Sequence, residues 1–173
     1  IILSNNQLTG PIPSWLGDLN LTTLDLGGNS FTGSIPSSIS KLDSLTMLDI
    51  SYNQLNDFLP TSWPANLQIL YLQNNLITGP LPKFLPKTLQ RLYLDSNSIN
   101  GSIPIEWLAC KVLDTLYLQS NKLSGTLPSW IGQMSALIDI NLAYNFFTGP
   151  FPTGFCGSSI FKIDLSNNLL SGG

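Results

Sequence analysis

Histidine does not occur among the 173 residues. That removes a Ser-His-Asp triad, a Cys-His dyad and any His-ligated metal site. Cysteine occurs twice, too few for a disulfide-rich scaffold or a four-Cys zinc site. Charge is scarce: 7 basic and 10 acidic residues give a net charge of −3, and charged residues make up 10% of the chain against about 25% in an average soluble domain. With a pI near 4.5 and no cluster of Lys and Arg, nucleic acid is not an expected partner. Hydrophobic residues are 43% of the chain and mean hydropathy is +0.19. Yet no run approaches the ~18 apolar residues of a membrane span, so no membrane insertion by this segment is expected. No basic stretch precedes Ile1 to mark a secretory signal, and the chain reads as a piece of a longer one.

What is present is periodic. Leu24-Asp25-Leu26-Gly27-Gly28-Asn29-Ser30-Phe31-Thr32-Gly33-Ser34-Ile35-Pro36 recurs along the whole chain, anchored on Asn6, Asn29, Asn53, Asn75, Asn97, Asn121, Asn145 and Asn168, at gaps of 23, 24, 22, 22, 24, 24 and 23 residues. The L-x-L alternation predicts a short half-buried strand. The Asn turns the chain, and stacked Asn amides are suited to satisfy buried backbone groups around them. An apolar residue, a hydroxyl or amide residue, Gly and Ile/Leu/Phe-Pro follow, a second extended piece that is not a central strand. The remaining ten or so residues are too short for a full α-helix and predict a helical or 3₁₀ turn. No single unit buries its own leucines, so the units must stack, with the strands in one parallel sheet. The fold class is an α/β repeat solenoid, mainly β, forming one domain over residues 1–173 of about eight repeats, the first and last partial.

The pattern resembles the plant-type leucine-rich repeat, L-x-x-L-x-x-L-x-L-x-x-N-x-L-x-G-x-I-P, in fragments such as LTGPIPSWLGDL, LDLGGNSFTGSIPSSI and LSGTLPSWIGQM. The resemblance implies a right-handed superhelix with parallel strands on the concave face and short helical turns on the convex face. It also implies a protein-binding role, as in extracellular receptor-kinase and receptor-like ectodomains. A secreted inhibitor or a carbohydrate- or ice-facing solenoid is the alternative. Three departures stand out. Asp57 replaces the usual Gly, the third and fourth repeats are 22 residues long with Pro64 and Pro86 in their back segments, and the paired-cysteine caps are absent.

Candidate recognition residues follow from the strand alternation. The residue between the strand leucines runs Ile2, Asp25, Asp49, Tyr71, Tyr93, Tyr117, Asn141, Asp164. Asp is usual there in the resembled family, but three consecutive repeats carry Tyr, followed after Leu by Gln73, Asp95 and Gln119. Met47, Ile69, Arg91 and Thr115 project beside this aromatic stripe. Tyr and Arg join apolar area to a polar handle and are enriched at binding hot spots. Tyr71, Gln73, Arg91, Tyr93, Asp95, Tyr117 and Gln119 are therefore the ligand-binding candidates, for a peptide or protein ligand with a co-receptor as a further partner; the structural alternative is strand filling. Asp25 and Asp49 should project side by side, a spacing that retaining glycosidases use, but Leu-Asp-Leu is the resembled family's default strand. The same explanation covers Asp139 and Asp164. No catalytic residue, metal or cofactor is expected; Gly27-Gly28 lies in a repeat turn and is no phosphate loop.

Trp15, Trp63, Trp107 and Trp130, with Phe84 and Phe155, fall two or three residues after the repeat proline and predict core wedges of the back face. A hydroxyl or amide row (Thr9, Thr32, Asn56, Thr78, Asn100, Ser124, Thr148, Ser171) precedes the repeat Gly, and local bonding at a turn accounts for it. Cys110 and Cys156 lie two repeats apart, beyond the ~7 Å Cα limit for a bridge, and are expected to be free and mostly buried. Sequons at Asn20 and Asn100 are glycosylation candidates, Asn100 in the loop after its anchor, in keeping with an extracellular or cell-surface setting.

Overall fold

A computed structural model describes residues 1–172. The L-x-L segments form a seven-stranded parallel sheet from Thr23–Asp25, Met47–Asp49, Ile69–Tyr71, Arg91–Tyr93, Thr115–Tyr117, Asp139–Asn141 and Lys162–Asp164, stacked in chain order. The register is strict. Leu24, Leu48, Leu70, Leu92, Leu116, Ile140 and Ile163 align in one column, and Asp25, Asp49, Tyr71, Tyr93, Tyr117, Asn141 and Asp164 in another. The first column turns inward and is buried as far as Ile140; the second faces out. With period two, a one-residue slip would exchange the columns, so burial of the leucines fixes the register.

The Asn ladder holds the turns. Asn121 donates through Nδ2 to Leu118 O and Gln119 O in its own coil and to Leu94 O in the preceding one, while its Oδ1 accepts Ile99 N–H at 2.9 Å. Asn53, Asn75 and Asn145 repeat this inter-coil bonding and are buried like Asn121. The residue before each ladder Asn has a left-handed backbone, with φ between 52° and 64° at Asn5, Gly28, Tyr52, Asn74, Ser96, Ser120, Tyr144 and Asn167. Asn and Gly adopt that conformation readily, whereas Tyr52 and Tyr144 do so at a cost of about 1–2 kcal/mol each.

The second extended pieces differ from expectation. They pair laterally, so the molecule carries two sheets besides the strand-face sheet. One joins Thr9–Pro11, Ser30–Gly33 and Gln54–Leu55; the other joins Thr78–Pro80, Ser98–Gly101, Lys122–Thr126, Phe146–Gly149 and Leu169–Leu170. The lateral ladder is interrupted at Asp57. Its counterparts Gly33, Gly79, Gly101, Gly125 and Gly149 take φ of 76–88°, a conformation glycine reaches without penalty and Asp does not. Across the gap the ladder is reduced to the bridge Phe58↔Thr78, with Leu76 N–H donating to Leu55 O at 2.8 Å and Thr78 N–H to Asp57 O at 3.2 Å. The Phe58 ring stands 2.5 Å from where a Cβ on Gly79 would lie.

On the back, 3₁₀ turns span Ser14–Asp18, Ser37–Lys41, Ile105–Ala109, Ser129–Gln133 and Thr153–Phe155. The two 22-residue coils, where Pro64 and Pro86 sit, have none. The aromatic wedges correct the sequence reading by one residue of register. Three residues after the repeat proline points inward: Leu16, Ile39, Trp63, Trp107, Ile131 and Phe155 are buried. Two residues after it points outward: Trp15 and Phe84 are 58% and 60% exposed, and Trp130 is half-buried. Cys110 is buried as expected, but Cys156 is exposed beyond the last 3₁₀ turn; both are free. Asn20 is exposed before the first strand of the strand-face sheet. Asn100 is exposed too, but on a lateral strand and not in a loop.

Candidate ligand-binding face

Four coils share a local device. The carboxylate or amide of the outward strand residue accepts the N–H two residues on: Asp25 from Gly27, Asp49 from Ser51, Asn141 from Ala143 and Asp164 from Ser166, at 2.9–3.1 Å. This bond holds Asp164 below the ordinary carboxylate range. It also gives Asp25 and Asp49 a turn-capping role. A tyrosine in the same position cannot accept that bond, and Tyr71, Tyr93 and Tyr117 occupy it in three successive coils.

The three phenols interact with one another. Tyr71 and Tyr93 stack at 4.9 Å between centroids and 21° between planes; Tyr93 and Tyr117 meet edge to face at 5.1 Å and 74°. Both are favourable aromatic geometries. Burial, followed by the neighbouring Tyr71, raises the Tyr93 phenol above its ordinary value. Tyr117 donates its hydroxyl to Asp139 Oδ2 at 2.8 Å, and Lys162 closes the group from 3.4 Å (to Tyr117 Oη) and 3.6 Å (to Asp139 Oδ2). Burial and then the Asp139 bond raise Tyr117; the Tyr117 bond and the Asp139 charge raise Lys162. Arg91 Nε lies 3.8 Å from Asp114 Oδ1. Burial raises the Asp95 carboxyl.

On the N-terminal side the stripe runs into a groove of about 550 Å³. Asp25, Asp49, Ser51, Tyr52, Tyr71 and Gln73 line it, and Gly27 opens it. A methyl group on Gly27 would lie 3.0 Å from Asp49 Oδ1 and 3.4 Å from Asp25 Oδ1.

Of the sequence candidates, Tyr71, Tyr93 and Tyr117 form one contiguous stripe, Gln73 joins the groove, and Arg91 stands beside Tyr93 in an ion pair. Asp95 and Gln119 occupy the same column as Gln73 one and two coils on. The sequence reading missed Lys162 and the bonding of Asp139. The column Met47, Ile69, Arg91, Thr115 continues to both, and following it to the end finds them. Tyr52 and the groove were missed too; the signal for the groove is the small residues Gly27 and Ser51 in the column that later carries Gln73, Asp95 and Gln119. The hydroxyl row is discontinuous, because the lateral sheets part at Asn56-Asp57. Among the described residues no group of three or more His, Cys, Asp or Glu is placed to hold a metal, and no helix is long and apolar enough to cross a membrane.

Stacked coils around an Asn ladder, with an outward row of side chains on rigid strands, define a repeat solenoid. Family models described as leucine-rich repeat match residues 1–55 and 111–170, and residues 66–87 and 88–110. The chain belongs to the leucine-rich repeat family. Receptor-like protein 35 of Arabidopsis thaliana is 40% identical over 79 residues, 44% of this chain and 8% of that protein. Lumican of Gallus gallus is 44% identical over 77 residues, 43% of this chain and 22% of lumican. Among solved structures, PEPR1–AtPEP1 superposes with a TM-score of 0.94 at 33% identity, over 98% of this chain and 25% of that one. The ectodomain of the Arabidopsis receptor kinase HAESA, in complex with an IDA peptide hormone ligand, gives 0.87 at 33% identity over 97% of this chain and 33% of that one. HAESA is also known with the co-receptor SERK1. The chain thus spans between a twelfth and a third of these relatives.

Proposed function

We propose that this segment is a non-catalytic recognition module of a receptor-like protein at the cell surface, and that it takes a peptide or protein ligand on its strand face. The carrying observation is the tyrosine stripe: three adjacent coils lack a capping bond that their neighbours keep, and carry instead half-exposed phenols in aromatic contact with one another. The likeness to receptor ectodomains, HAESA with its peptide hormone among them, supports the reading. The recognition residues are Tyr71, Tyr93 and Tyr117, flanked by Gln73, Asp95 and Gln119, with Arg91 at the side; a co-receptor is a further partner. Asn20 and Asn100 are the glycosylation sites, both on surface clear of the stripe. The mechanism is pre-organisation. The leucine core and the Asn ladder fix the strands before ligand arrives, so little ordering entropy opposes binding.

Linear peptides selected from a random display library on the native chain test this. Tyr93→Ala should weaken their binding at least tenfold, about 1.4 kcal/mol, while the melting temperature moves by no more than about 4 °C. Undiminished binding, or a melting loss that tracks the binding loss, returns the stripe to a structural role.

A further inference from the structure

We infer that the groove at the N-terminal end of the stripe takes a cationic side chain of the ligand, an arginine above all. The inference rests on the strand-face reading and specifies the chemistry it selects.

Three observations carry it. First, the groove is acidic: Asp25 and Asp49 line it, and among the described residues neither Lys nor Arg does. The two basic residues elsewhere on this face are already committed, Arg91 to Asp114 and Lys162 to Asp139. Second, the face has acceptors without donors. Of the two carboxylates, Asp49 uses only Oδ1, on Ser51, which leaves its second oxygen open to a ligand donor. Gln73, on the same wall, has its Oε1 closed off with no donor among the described residues. Third, the groove has room beside its charges. Gly27 leaves space next to both carboxylates, and Tyr52 stands exposed at the rim.

A guanidinium suits this arrangement better than an ammonium. Its forked donors suit two carboxylates on adjacent strands, and its plane suits a tyrosine face. The wall of the groove supplies that face in Tyr71, itself stacked on Tyr93.

The test uses a fluorescein-labelled hexapeptide of alternating arginine and glycine, and the same peptide with citrulline for arginine. Citrulline keeps the shape and removes the charge. Binding is followed by fluorescence anisotropy at low and at physiological salt. The arginine peptide should bind at least tenfold tighter than the citrulline peptide, with the margin shrinking as salt rises. In the Asp25→Asn/Asp49→Asn double variant the margin should vanish. That variant keeps the turn, because Asn141 makes the same capping bond to Ala143 at 3.0 Å; an unchanged melting temperature confirms it. Asp43→Asn, at an exposed back-face site, is the control and should keep the margin. Equal binding of the two peptides, binding of neither, or an undiminished margin in the double variant overturns the inference. If library peptides still depend on Tyr93 while the arginine margin is absent, the strand-face reading stands and the cation assignment falls. Should Tyr93→Ala be silent as well, both fall.

Discussion

Asn121 bonds three carbonyls and one N–H across two coils, in a place closed to solvent. Truncation to Ala leaves those groups buried with nothing in their stead, at about 1–3 kcal/mol for each unsatisfied group that water cannot reach. Asn121→Ala should therefore lower unfolding stability by about 2–4 kcal/mol in urea denaturation. Asn6→Ala, at an exposed amide that bonds only within its own coil, should change it by less than about 1 kcal/mol. Asp95 presents the opposite case. Burial raises its folded pKa, so ionisation is costlier in the folded chain than in the unfolded one, and the penalty operates above the folded pKa. Asp95→Asn should raise the melting temperature at neutral pH, and the gap should close as acidification protonates the native carboxyl. A gap that widens in acid would show that a favourable contact dominates at Asp95.

The short back-face turns show how finely an element reads its sequence. Trp107 and Trp15 both follow a repeat proline, three residues on in one case and two in the other. A 3₁₀ turn has three residues per turn, so that single step carries the side chain from the core to the surface. Trp107 is almost wholly buried, its Nε1 donating to Pro82 O at 2.9 Å. Pro82 belongs to a coil without a 3₁₀ turn, and its carbonyl is left free to accept. Trp107→Ala should cost about 3–5 kcal/mol, and Trp15→Ala less than about 1 kcal/mol, in the same denaturation assay. The strands were plain in the sequence because L-x-L repeats with period two and the buried member is invariably aliphatic. The wedges were not, because proline-to-aromatic distance was read as a range while the geometry depends on its unit. Lateral pairing was equally obscure: short runs ending in Gly and Pro carry little strand signal, and only stacking brings them together.

At the scale of the whole molecule, the fold was legible because each coil restates the last, so that the column of leucines, the Asn ladder and the outward row follow from one period. The stripe was legible for the same reason, as three matching departures in one column. The groove was harder to see. The pairing of Asp25 and Asp49 followed from the stacking of the strands, but the space beside them arises from what Gly27 and Ser51 lack. The donorless oxygens are a property of packing that no single repeat announces.

Asp57 marks a seam. Where it replaces glycine the lateral ladder thins to the Phe58↔Thr78 bridge and the bonds from Leu76 N–H to Leu55 O and from Thr78 N–H to Asp57 O, so the coils on either side are joined mainly by the strand-face sheet, the Asn ladder and the leucine core between them. The acidic groove lies mainly before that seam and the stacked phenols beyond it. A ligand long enough to engage both would bridge two blocks clasped more fully along one margin than along the other, and the pitch between them would then set how far apart the ligand's own anchoring groups must stand.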